Sequence, residues 1–175
     1  MFAVNQVQPR RHREVRLERH AYDLAGFTHM VAKLLIALLL MALCVAIHAV
    51  GLTAAVRRLR RYAMSPPLSF MRSVGVLIGI AAWAILLHLL QIAVWAFFYV
   101  LEHGMPDLPS ALYFSAVTYT TTGYGDLVLP PEWRLVGGVE ALTGILMCGL
   151  STGFFFAVLL KTFELASSAD REPTR

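Results

Sequence analysis

Charge is scarce in this chain of 175 residues: Asp, Glu, Lys and Arg make up 15% of it, and 58% is hydrophobic. A soluble domain carries about 25% charged residues. Cysteine is scarcer still. Cys44 and Cys148 are the only two, too few for a disulfide framework or a metal-ligand spacing, and both fall in apolar stretches, where they read as inert core thiols. Charge is missing most where hydrophobic runs are longest. Residues Ser73 to Leu101 contain no charge, Met30 to Val56 contain only Lys33, and Leu135 to Leu160 contain only Glu140. These absences exclude a water-soluble globule and a disulfide-stapled secreted domain. The net charge of +4 would suggest nucleic acid in a soluble protein. Here the placement of the charges matters more than their sum, and no nucleic-acid partner is expected.

Each apolar run is long enough to cross a bilayer, which takes about 20 residues. The expected organisation is a polar, Arg-rich arm over 1–29 and a first spanning helix over 30–56. A basic linker over 57–72 follows, broken at Ser65-Pro66-Pro67 because proline cannot continue a helix. A second span covers 73–101 and a third 133–161, with a short polar tail over 162–175 that is expected to be disordered. Between the second and third spans, residues 110–120 read as a helix too brief to cross, followed by a glycine-bearing segment at 121–126. The fold class is therefore an all-α membrane protein with three transmembrane helices and a re-entrant element, and lipid is its surrounding partner.

The loops give an orientation. The 57–72 linker holds Arg57, Arg58, Arg60, Arg61 and Arg72, whereas the segment between the second and third spans holds Glu102, Asp107, Asp126 and Glu132 against Arg134. Cytoplasmic loops carry the excess of Lys and Arg, so the linker and the C-terminus are expected inside and the re-entrant segment outside. A first span that crosses once then leaves Arg10, Arg11, Arg13, Arg16 and Arg19 outside, against the rule. Two expectations answer this: an incomplete crossing, or a natural start at Met30. Arg10, Arg13, Arg16 and Arg19 recur every third residue, but Arg11, His12, Glu14 and Glu18 lie between them. The segment therefore reads as a solvated arm rather than a voltage-sensing helix.

Non-helical backbone survives at membrane depth only where it is buried in protein or lines a watery cavity. A half-length helix running into Thr121-Thr122-Gly123-Tyr124-Gly125-Asp126 points to a pore. A dehydrated cation needs a ring of oxygens, and backbone carbonyls supply one if the chain turns them all inward. That geometry asks for residues tolerant of positive φ, which is the reason for Gly123 and Gly125. The Thr121 hydroxyl can add a further ring, and the Tyr124 side chain is expected to wedge the segment against neighbouring helices. Asp126, at the outer mouth, concentrates cations. The helix before the segment aims its C-terminal partial negative charge at the cavity, with Ser110 as its expected N-cap.

Thr120 to Asp126 resembles the selectivity filter of potassium channels. With Tyr113-Phe114-Ser115 before it and Trp133-Arg134-Leu135 after it, the stretch over about 71–161 is similar to the small bacterial pore-only type of outer helix, pore loop and inner helix, here with one extra N-terminal helix. The resemblance implies a homotetramer in the cell membrane, in bacteria the inner membrane. It also implies potassium as the permeant ion, held by Thr121, Thr122, Gly123 and Tyr124, with no catalytic activity and no cofactor. Thr122 stands where many members have valine. Val117 occupies the position of a pore-helix carboxylate that in some relatives braces the aspartate, so that support is missing. Glu140 is expected to replace it by bonding to the pore helix or filter backbone, and a carboxyl facing the outer vestibule is the alternative. Gly144 matches the family's hinge glycine; it and Gly149 serve either bending or close packing. Cys148, Thr152 and Phe156, four residues apart, could face the cavity. His48 and His88 invite a haem-binding redox reading, but each is alone on its helix with nothing to pair them, and core histidines are expected. Trp95, Tyr99 and Trp133 fit an outer aromatic belt. A weakly selective cation channel is the alternative function, and the gating stimulus is not legible.

Overall fold

The computed structural model describes the backbone of residues 9–63 and 70–169, and side chains over 24, 26–60 and 71–164. The described residues form four α-helices: α1 (Pro9–Ala63), α2 (Phe70–Leu101), α3 (Leu108–Tyr119) and α4 (Arg134–Ala169), with a 3-10 turn at Pro131–Trp133 leading into α4. Three contain stretches long and apolar enough to cross a membrane, at Gly26–Arg60, Met71–Leu101 and Pro131–Glu164. There is no strand among the described residues. The all-α architecture with three spanning helices and one short helix is therefore the observed one.

Two boundaries differ from expectation. The arm and the first span are one helix from Pro9, because no proline interrupts 10–63 and the arm's Arg, Glu and Leu are good helix formers; proline itself suits a helix's first position. The expected disorder after Lys161 is also corrected, since α4 runs to Ala169. No glycine or proline stops it there, and Lys161 pairs with Glu164 at 3.0 Å. Residues 1–8, the Ser65-Pro66-Pro67 break and residues 170–175 lie outside the described residues, as do the side chains of Arg10 to Arg19.

The short helix α3 packs between α2 and α4, and α1 lies against both α2 and α4. Lipid tails are as apolar as leucine, so helices in a membrane associate through close packing and polar contacts rather than through exclusion of water. Both are visible here. Trp95, Tyr99 and Trp133 are buried, not spread in a lipid-facing belt. Tyr99 stacks on Trp95 at 6.3 Å and meets Phe98 and Phe114 edge-on at 5.5 and 5.4 Å, while Phe98 meets Trp133 at 5.5 Å. Offset and edge-to-face pairs of this kind each add about 0.5–1.5 kcal/mol beyond the area they bury. The aromatic residues therefore bind α2, α3 and the start of α4 into one block.

At the same end, Lys33 of α1 donates to the Glu132 carbonyl at 3.2 Å, and its ammonium lies 4.2 Å from the centre of the Trp133 ring. Toward the other end, Trp83 of α2 donates to the Gly51 carbonyl at 3.0 Å. These contacts fix α1 along the length of the bundle. Its N-terminal extension leaves the bundle at the end where α4 begins.

Gly144 lies at a close approach of α4 to α3. A Cβ there would overlap the Tyr119 carbonyl of α3, whereas a Cβ at Gly149 meets nothing within 4 Å. Gly144→Ala is therefore expected to cost about 3 kcal/mol, the upper range for overpacking a filled site, because the obstacle is backbone and cannot swing aside. Gly149→Ala should be near neutral in the same thermal-unfolding measurement on detergent-solubilised protein.

Candidate ion-conduction site

The site begins at the N-terminus of α3. Asp107 is the N-cap, and its carboxylate accepts from the Ser110 amide at 2.8 Å, with Pro109 inside the first turn. The expected cap at Ser110 is thus displaced by three residues, since a carboxylate satisfies the free amides better and proline offers no amide to satisfy. The Ser110 amide and side chain hold the Asp107 carboxyl below the ordinary carboxylate range.

At its other end α3 turns directly into the glycine-bearing segment. The Thr120 amide donates to the Ala116 carbonyl at 3.1 Å, the Thr121 amide to Thr118 at 2.9 Å, and the Thr122 and Gly123 amides both to Val117 at 2.9 and 3.3 Å. The Thr120 hydroxyl bonds the Ala116 carbonyl at 2.7 Å and the Thr122 hydroxyl at 2.8 Å. The last turn of the helix is therefore spent in hanging the segment. Val117, a position with no carboxylate to offer, contributes its carbonyl instead.

Positive φ falls on Thr121 (58°), Gly123 (59°) and Gly125 (77°). Residues of positive φ thus alternate with residues of negative φ from 121 to 125. The glycines are where expected. Thr121 is not, because a β-branched residue at positive φ is a conformational outlier; the regular spacing 121, 123, 125 was the available signal. Residues 121–128 are exposed in the single chain, and Tyr124, expected to wedge against helices, is 72% exposed and meets none of its own chain's core.

Asp126 has a partner that sequence reasoning missed. The Tyr113 hydroxyl donates to its carboxylate at 2.8 Å, and this bond, with help from the Asp126 and Leu127 amides, holds the carboxyl below its usual range. Tyr113 and Val117 are four residues apart on one face of α3, so the brace moved by a turn of the same helix.

Of the two places expected for it, Glu140 lies beside the pore helix at Ser115 rather than at the filter backbone, and it does not face a vestibule. It is fully buried, and the Tyr99 hydroxyl of α2 donates to its Oε2 at 2.8 Å. Ser115 of α3 lies beside the carboxyl, with its Oγ and the Glu140 Oε1 outside hydrogen-bond geometry. A tyrosine near the C-terminus of α2 looked like a belt residue, which hid its role as this partner.

The two histidines are not alone. Their ring centroids are 5.2 Å apart, and both Nε2 atoms lie 3.0 Å from the Ser151 Oγ of α4. His48 Nδ1 meets Gln91 at 2.9 Å and His88 Nδ1 meets the Tyr119 hydroxyl at 3.1 Å. All four ring nitrogens are thus engaged by protein groups. Gln91, a polar residue in an uncharged span one turn from His88, was the signal. Cys148, Thr152 and Phe156 share the exposed face of α4, so Cys148 is not the core thiol expected, while Cys44 is buried.

Three spanning helices, two of them flanking a half-length helix, and a segment of alternating φ sign hung from its C-terminus make the architecture of a channel pore. Residues 75–161 match the sequence model of a family described as ion channel, and over these residues the chain belongs to that family. It is 43% identical over 58 residues to the potassium voltage-gated channel protein shk-1 of Caenorhabditis elegans, covering 30% of this chain and 11% of that protein. It is 34% identical over 68 residues to the potassium voltage-gated channel protein Shal of Drosophila melanogaster, covering 37% and 12%. The chain thus spans about a tenth of the length of these curated relatives. No solved structure matches it.

Two substitutions probe the braces. Tyr99→Phe leaves the buried Glu140 carboxyl without its donor and is expected to cost about 1–3 kcal/mol in thermal unfolding. Tyr113→Phe acts through pH. A carboxyl whose folded value is depressed stabilises the fold above the ordinary range and loses that contribution as pH falls through the lowered value. Removing the hydroxyl should therefore raise the acid midpoint of Asp126, read by carboxyl NMR, back toward the ordinary carboxylate range.

Proposed function

We propose that the chain is one subunit of a homotetrameric potassium channel that conducts passively, with the filter mouth outside the cell and the C-terminus in the cytoplasm. The observation that carries this reading is the alternation of backbone handedness through Thr121, Gly123 and Gly125, which a structural turn has no need of and a column of inward carbonyls requires. The carbonyls of Thr121, Thr122, Gly123 and Tyr124 and the Thr121 hydroxyl replace the ion's water shell. One strand cannot encircle an ion, so four copies meet at an axis. The exposed filter and the exposed side chain of Tyr124 on the single chain suit that meeting, as do the apolar faces left uncovered on α4, among them Leu142, Ile145 and Leu146. The relatives named above are potassium channels, which favours potassium as the ion. Asp126, held ionised by Tyr113, gathers cations at the mouth. Glu140 braces the pore helix from behind through Tyr99, whose ring packs on Phe114, rather than by touching the filter.

Reconstituted into liposomes with opposed potassium and sodium gradients, the protein is expected to reverse close to the potassium equilibrium potential. Reversal near zero would instead mark a weakly selective cation pore and sink the selectivity reading. Glu140→Gln should keep that reversal potential while accelerating inactivation in planar-bilayer records; unchanged inactivation would remove Glu140 from the filter's support.

A further inference from the structure

Five side chains from all four helices form a closed ring in the middle of the bundle. Gln91 Nε2 meets His48 Nδ1 at 2.9 Å, His48 Nε2 meets Ser151 Oγ at 3.0 Å, and Ser151 Oγ meets His88 Nε2 at 3.0 Å. His88 Nδ1 meets the Tyr119 hydroxyl at 3.1 Å, and that hydroxyl donates to Gln91 Oε1 at 2.8 Å. His48 and Gln91 are fully buried, and Tyr119 and Ser151 nearly so.

Hydrogen counting decides what such a ring can hold. With the Gln91 amide nitrogen toward His48, that nitrogen donates to Nδ1 and leaves the His48 proton on Nε2, which donates to Ser151. The serine hydroxyl then donates to His88 Nε2, leaving the His88 proton on Nδ1 to donate to Tyr119, whose own proton goes to the Gln91 oxygen. Each member gives one hydrogen and accepts one. Rotating the amide reverses every arrow and changes nothing else. In both directions the ring closes with both imidazoles neutral. A further proton makes both nitrogens of one imidazole donors. Ser151 must then accept from both histidines and turn its own hydrogen out of the ring, so the α4 link is remade.

The added charge also has nothing to answer it. The titratable groups around the ring are Cys44 on α1, one turn from His48, Tyr119 itself on α3, and Cys148 and Glu140 on α4; α2 contributes only His88. Glu140 stands about 16 Å along α4 from Ser151 at 1.5 Å per residue, and its carboxylate is already bonded to Tyr99. The described residues hold no salt bridge to either imidazole. An unpaired positive charge in such a place is costly. It would also sit behind Tyr119, two residues before Thr121, where it opposes a cation at the inner end of the filter.

We propose that this ring is a proton-binding site that makes α1 a positioning element of the pore: closed and neutral, it fixes the C-terminus of α3 against α1, α2 and α4, and a proton on either imidazole remakes it and lowers the current. The electrical part rests on the conduction reading, and the proton-binding part does not. With no charge to answer it, proton uptake by the ring is sought at the acid end of the pH 5–8 range in which an unperturbed histidine titrates, and Asp126, held below its usual range, does not contribute there.

The test is planar-bilayer recording of the full chain in symmetrical potassium while pH falls from 8 to 5. The open-to-closed ratio is expected to drop roughly fivefold per subunit, the equivalent of one lost hydrogen bond. His48→Gln with His88→Gln should flatten the profile, and Ser151→Ala, which keeps both imidazoles, should shrink it. A wild-type current independent of pH, or the same profile in the double variant, overturns the proposal. Nitrogen NMR of the chain with His12, His20, His29 and His103 replaced reads the ring without current and without altering it. One proton on each of His48 and His88 at pH 8 and a doubly protonated imidazole by pH 5 support the site; two imidazoles still neutral at pH 5 overturn it. A silent bilayer with that NMR change would refute conduction and leave the proton site standing.

Discussion

A helix that stops halfway across a membrane leaves its last carbonyls, and the amides of the chain beyond it, with no water to bond. The rest of this structure follows from that constraint. In the bilayer core each unmet polar group costs several kcal/mol, so the segment after α3 folds back on the helix that precedes it. The carbonyls of Ala116, Val117 and Thr118 take up the amides of Thr120 to Gly123 and the Thr120 hydroxyl. On the proposed reading, the carbonyls of the segment itself are then left for a cation that has lost its water.

A half-helix cannot hold its place by length, so its neighbours hold it. The braces come in two layers. Near the mouth, Tyr113 holds Asp126 from within α3, and Tyr99 joins the Glu140 carboxyl to an aromatic block that includes Phe114 of α3. At the inner end, Tyr119 is gripped by His88 and Gln91, and its carbonyl lies so close to α4 that residue 144 has room for no side chain. The family match stops short of α1, which lies before residue 75. Yet His48 and Lys33 of α1 reach both layers, through Ser151 and through Trp133 respectively. The extra helix is built into the pore's frame.

The spanning helices, the half-helix and the positive φ of Gly123 and Gly125 were legible because each rests on a local rule: apolar length, a stop before glycine, and conformations that glycine tolerates. Contacts between helices were not. Tyr99 and Trp133 looked like interfacial aromatics because a sequence places them at a depth but not on a side. His48 and His88 looked solitary because pairing across helices depends on rotation about two axes, which no spacing within one helix reveals. Gln91 could have corrected this, since an amide in an uncharged span needs a partner of its own kind. Where local and tertiary signals disagreed, as at the end of α4, good helix formers carried the helix beyond the apolar run.

Thr121 is where the competing demands meet. Left-handed backbone costs a residue with a Cβ about 1–2 kcal/mol, and glycine would occupy the position without that cost, as it does at 123 and 125. The chain nevertheless holds a threonine there, two residues after Tyr119 and directly after the Thr120 cap. The strain persists only because the surroundings over-determine it: the Thr121 amide is fixed to Thr118, and the next two amides are both fixed to Val117. On the conduction reading, the hydroxyl is the return on that strain, an oxygen ligand at the one level where the column of carbonyls meets the cavity. A glycine would relax the backbone and leave an ion arriving there one ring of oxygens short. The inner bracing of Tyr119 therefore serves a specific end: it holds the last turn of α3 firmly enough that a residue poorly suited to the geometry can be kept for its side chain.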